Sequence, residues 1–125
     1  SRVEFWNNKL VEAQKELGQT DKTLAEIRTS LKEAVRNVED LKAEAEKACE
    51  ENPTSANCSI LNSKVKSATE VVNELIKLED ELIERETELQ KDVDEFTVNA
   101  EKTKEASDDE ENQVPTDAEN ILALF

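Results

Sequence analysis

Leu24-Ala-Glu-Ile27-Arg-Thr-Ser-Leu31-Lys-Glu-Ala34-Val-Arg-Asn-Val38-Glu-Asp-Leu41 places an apolar residue at alternating intervals of three and four. That spacing draws one stripe along an α-helix and suits a partner helix lying against it. Val3, Trp6, Leu10, Ala13 and Leu17 extend the stripe toward the amino end, and Ala45 and Ala48 extend it the other way. Thr20 alone breaks the apolar set. A single heptad phase therefore spans 46 positions, which predicts one helix of about 70 Å at 1.5 Å per residue. Gly18-Gln-Thr-Asp21 is the one place for a bend, because Thr23-Leu-Ala-Glu26 has the form of a capping box that restarts a helix. A loop there would shift the phase, and the phase survives, so the reading is continuity over 1–48.

The same period returns at Leu61, Val65, Ala68, Val72 and Leu75, passes through Glu79, and continues at Leu82, Glu86, Leu89, Val93, Phe96 and Ala100. Between the two stretches lies Glu50-Glu-Asn-Pro-Thr-Ser-Ala-Asn57, the one segment that reads as a turn, with Cys49 and Cys58 at its ends. Doubling the chain back at Asn52-Pro53 sets Leu41 near Val65, Ala34 near Val72, Leu24 near Leu82, Leu10 near Phe96 and Trp6 near Ala100. Apolar meets apolar along the seam. In this register Thr20 faces Glu86, either a polar layer that fixes register or a tolerated polar pair.

The expected fold is all-α: a long antiparallel, coiled-coil-like helical hairpin in a single domain over 1–125, with helix 1 at 1–48, a disulfide-closed turn at 49–58 and helix 2 at 59–106. One Gly and two Pro in 125 residues leave almost no turn chemistry for strands. Val71, Ile76, Leu78 and Ile83 make the second stripe wider than one partner helix covers. Cover is expected from the carboxyl-terminal segment, from the first seventeen residues folded back at Gly18, or from a second copy of the chain. Residues 107–116 read as an acidic linker. Thr116-Asp-Ala-Glu119 then reads as a capping box opening a short helix over 117–125, which packs back on the hairpin near Phe5, Trp6 and Phe96.

The charge is uneven. Residues 1–48 carry −1, 49–106 carry −8 and 107–125 carry −6, within a net charge of −15. Clusters stand at Glu79, Asp80, Glu81 and Glu84, at Asp92, Asp94 and Glu95, and at Asp108, Asp109, Glu110 and Glu111. Such a field repels nucleic acid and anionic membrane. Each cluster is either a solvated helix face or a surface that steers a basic protein partner; the first and third clusters are the candidate partner-binding surface.

No metal or cofactor is expected. The chain has no histidine and only two thiols, too few ligands for a zinc site, and the Asp108–Glu111 run lacks the glycine and spacing of a calcium loop. There is no glycine-rich phosphate loop, and the carboxylate pairs lie on polar helix faces where nothing sets one apart from another. A non-enzymatic protein follows. A carrier of small apolar ligands fits poorly too, since Ala13, Ala34, Ala45, Ala48, Ala68 and Ala100 on the seams favour close helix approach over a cavity.

The sequence contains no methionine, which is read as loss of a signal peptide before Ser1, the alternative being an artificially trimmed chain. Small secreted domains favour disulfides, so a Cys49–Cys58 bridge is expected, with two free buried thiols as the alternative. Asn57-Cys-Ser59 is a glycosylation sequon that the neighbouring bridge would crowd. The inferred location is extracellular.

Ser1-Arg-Val-Glu-Phe-Trp6, the long heptad helix, the single Cys49 to Cys58 turn, the acidic second helix and the ending Ile121-Leu-Ala-Leu-Phe125 together resemble the anophensin- and albicin-type salivary proteins of Anopheles mosquitoes. The resemblance covers most of the chain and rests on layout, with no short diagnostic motif. It implies a protein that inhibits the alternative complement pathway by binding its convertase, or one that acts on the kallikrein contact system. Its partner would be a host plasma protein, either a convertase component or a contact-system protease, met by a monomer or weak homo-oligomer. The resemblance brings no catalytic residues with it. A different class, a structural coiled-coil dimerisation module, would have its wide stripe sealed by another chain.

Overall fold

Two helices make up the fold, α1 over Arg2–Glu51 and α2 over Ala56–Leu124. The computed structural model describes residues 1–106 with their side chains. α2 is continuous helix where a linker at 107–116 and a separate short helix from 117 are expected from the sequence; the side chains of 107–125, the acids Asp108, Asp109, Glu110 and Glu111 among them, lie outside the described ones, and the described residues contain no strand. α1 is unbroken through Gly18, which removes a fold-back of the first seventeen residues as cover for the wide stripe.

The amino end of α1 is closed by its own sequence. The Ser1 hydroxyl accepts from the Glu4 amide at 3.3 Å, while a Glu4 carboxylate oxygen lies 3.4 Å from the Ser1 nitrogen. This is a reciprocal capping box that satisfies two otherwise unpaired donors. At the far end the turn is shorter than the cysteine spacing suggests, because both cysteines lie inside helices and only residues 52–55 leave helical geometry. The Asn52 side chain accepts from the Thr54 amide at 3.2 Å and from its hydroxyl at 3.1 Å, and the Ser55 amide donates to the Asn52 carbonyl at 3.1 Å. Pro53 needs no amide partner in such a turn. Ser55 then caps α2, its hydroxyl accepting from the Cys58 amide at 3.0 Å. Cys49 and Cys58 are bridged across the turn with their Cα atoms 4.9 Å apart.

By packing, the chain divides into two compact units, one of Gln19–Glu86 and one of residues 1–18 with α2 from Thr87 onward. In the Gln19–Glu86 unit, Leu24, Val38, Ala45, Cys58 and Leu61 are buried, and Ile27, Leu31, Ala34, Leu41, Val65, Ala68, Val72, Leu75 and Leu82 are half-buried. In the other unit Ala13, Leu89 and Ala100 are buried, and the Trp6 ring lies 5.0 Å from Phe5 edge-on and 5.9 Å from Phe96. The Lys9 ammonium sits 5.7 Å above the Phe5 ring, a cation–π contact at an exposed site. Trp6 thus meets Phe96, which the sequence register sets near Leu10.

Gly18 gains nothing from being glycine. Its backbone is ordinary helix, and a Cβ built there meets nothing within 4 Å. Gly18→Ala is expected to raise the unfolding free energy by about 0.8–1 kcal/mol, because alanine loses less backbone freedom on entering a helix. A thermal melt followed by circular dichroism checks this; a lowered midpoint would mean that the helix needs to bend at this residue.

Candidate functional site

The acidic cluster of α2 separates into a seam member and a surface set. Glu79 occupies a seam position, and its side chain is only 23% exposed. Its carboxylate accepts from the Arg28 guanidinium across the hairpin at 3.3 Å. A partly solvated pair of this kind contributes at most about 1 kcal/mol, but it tells the two helices where to meet. Asp80, Glu81 and Glu84 are exposed. Asp80 and Glu84 stand one helical turn apart, so their charges reinforce one outward field and repel each other mildly. Of the second cluster, Asp94 and Glu95 are exposed, and the Asp94 side chain accepts from the Gln90 amide group at 3.0 Å.

Glu86, the other acid in the α2 seam, has the Asp21 carboxyl of α1 as its neighbour. The hydrogen bond that the protonated Glu86 carboxyl donates to Asp21 is the main cause of a raised Glu86 pKa. Partial burial and the negative charge of Asp21 act in the same direction, and the Arg28 cation opposes them. Thr20, expected opposite Glu86, is half-buried. Two carboxyls meet here, and Arg28, the cation that opposes the shift, is also paired with Glu79. Because the folded chain holds the Glu86 proton more tightly than the unfolded chain does, this group costs stability as pH rises from the ordinary carboxylate range through the raised folded value. Glu86→Gln is expected to raise the neutral-pH melting temperature and to flatten its decline over that window. Glu33→Gln, at an exposed position of α1 outside the seam, supplies the correction for general charge repulsion. Equal pH slopes for the two variants would show that Asp21 and Glu86 do not interact.

Asn62, one turn beyond Cys58, directs its amide nitrogen to both bridge sulfurs, at 3.6 Å from Cys49 Sγ and 3.7 Å from Cys58 Sγ. Among the described residues no group of three side chains is placed to hold a metal ion, no helix is long and apolar enough to cross a membrane, and no buried side-chain polar atom lacks a partner. Half-buried Thr69 and Thr97 close their hydroxyls on the carbonyls of Val65 and Val93, at 2.8 and 2.6 Å. The wide stripe is not covered within the described residues: Val71, Ile76, Leu78 and Ile83 are 52%, 42%, 44% and 37% exposed.

Within the Gln19–Glu86 unit, the bridged helix pair presents exposed carboxylates beside exposed aliphatic side chains. Asp21 and Arg28 escaped the sequence reading because they flank the seam instead of lying in it; pairing flank positions across the turn would have found both. Comparison with protein-family models, with curated proteins and with solved structures finds no match to the chain.

Proposed function

We propose that the chain is a secreted, extracellular inhibitor that binds a component of a host defence cascade, most directly the alternative complement pathway convertase. The observation that carries this reading is the exposed acidic turn Asp80, Glu81 and Glu84 standing on a helix pair whose register is pinned by Cys49–Cys58. A preorganised surface loses little freedom on binding, and its charge speeds encounter with a basic partner surface. The disulfide agrees with an oxidising compartment. The choice of cascade rests on a sequence layout that resembles that of the anophensin- and albicin-type salivary proteins.

The test is alternative-pathway lysis in serum with calcium chelated and magnesium supplied, read alongside cleavage of the third complement component. The wild-type chain is expected to suppress both in a dose-dependent manner. Asp80→Lys with Glu84→Lys is expected to slow association about tenfold at low salt with helix content unchanged, since reversing surface charge acts chiefly on the encounter rate. An undiminished lysis at saturating protein overturns the complement reading, and a contact-system protease assay run in parallel shows whether that cascade is the target instead.

A further inference from the structure

We propose that the edge of α2 from Ile60 to Glu81 is a second helix-pairing seam, and that its partner is the same edge of another copy of this chain, lying antiparallel to it. Ile60, Lys64, Ser67, Val71, Glu74, Leu78 and Glu81 follow one another at four, three, four, three, four and three residues. This is the period of the intramolecular seam, displaced to one flank of the helix. Ile60, Val71 and Leu78 are 53%, 52% and 44% exposed. Between Ile60 and Val71 lies an open groove of about 530 Å³, lined by Leu41, Ser63, Lys64, Ser67 and Ala68. Small serines make the hole, and Leu78 is a knob with no hole beside it in its own hairpin seam.

The charges select the occupant. When the edge is set against itself in antiparallel fashion, Leu78 of one copy comes opposite Ser67 of the other, Lys64 comes opposite Glu81, and Val71 comes opposite Glu74. Each contact is made twice about the two-fold axis, as a closed symmetric pair requires. A parallel pairing would place lysine against lysine and glutamate against glutamate. The net charge of −15 opposes any meeting of two copies, so the Lys64–Glu81 pairs, which are local and opposite in sign, specify this geometry above others. The inference stands apart from the complement reading, because it concerns the chain alone. Its one overlap is that pairing would cover Glu81 while leaving Asp80 and Glu84 outside the seam.

Sedimentation equilibrium of the whole chain over a wide loading range is the test. A reversible monomer–dimer equilibrium is expected. Leu78→Glu and Ser67→Glu are each expected to give monomer with the helical signal intact in circular dichroism. Lys64→Glu is expected to weaken pairing at least about tenfold by setting like charges together at two places; adding Glu81→Lys to the same chain restores it. A wild-type chain that is monomeric throughout, a dimer that survives Leu78→Glu and Ser67→Glu, or a double charge exchange as weak as Lys64→Glu alone would each overturn the proposal.

Discussion

Replacing Leu24 by alanine is expected to lower the unfolding free energy by about 2–5 kcal/mol, the largest effect of any single substitution considered for this chain. Among the described residues Leu24 and Leu89 are the two large side chains that are fully enclosed, at 2% exposure each. Most other seam residues keep some contact with water, as two packed helices cannot surround each other's side chains. The removed methyl groups would leave a gap between two stiff helices, and stiff helices close such gaps poorly. Chemical denaturation of Leu24→Ala beside Ile27→Ala, whose parent side chain is only half-buried, gives the contrast. A loss at Leu24 no greater than at Ile27 would show that the helices do not meet at this level.

The second large effect is expected from Cys49→Ser combined with Cys58→Ser. The bridge joins residues nine apart, and closing so short a loop restricts the unfolded chain by about 2–3 kcal/mol. The hydrogen bonds of Asn52, Thr54 and Ser55 remain in the double variant, so the turn keeps its direction. The melting temperature should fall while the low-temperature helical signal stays. An unchanged midpoint would show that the turn alone restrains the chain as well as the bridge does; loss of helix at low temperature would show that the hairpin needs the bridge to form.

The heptad phase made most of this fold legible beforehand. Within α1, every position of the series from Val3 to Ala48, Thr20 included, is buried or half-buried, and the one other α1 residue withdrawn from solvent is Cys49. The periodicity succeeded because a two-helix seam asks one thing of the sequence: an apolar stripe at the right spacing. It was less informative at the tip. The cysteines were read as turn boundaries, yet helix capping by Ser55 and the side-chain turn of Asn52 shorten the reversal to four residues and draw both cysteines into helix. It also leaves Glu79 without a partner and sets Glu86 against Thr20. Glu79 is answered by Arg28 and Glu86 by Asp21, both on the flank of α1, where an apolar stripe carries no signal. The breadth of the second stripe was visible in Val71, Ile76, Leu78 and Ile83. The expectation that something else in the hairpin covers them was not met within the described residues, because α1 is narrow enough to seal the seam and leave both flanks open.

The tip of the hairpin has a further consequence for how the molecule withstands proteolysis. Pro53 and Thr54 are exposed at the reversal, where a protease finds its easiest access to backbone. The bridge spans that point from inside the two flanking helices. A chain nicked there would still be one covalent object: its arms stay tied through sulfur, their seam stays zipped, and the cut becomes visible only when a reductant lets the halves part.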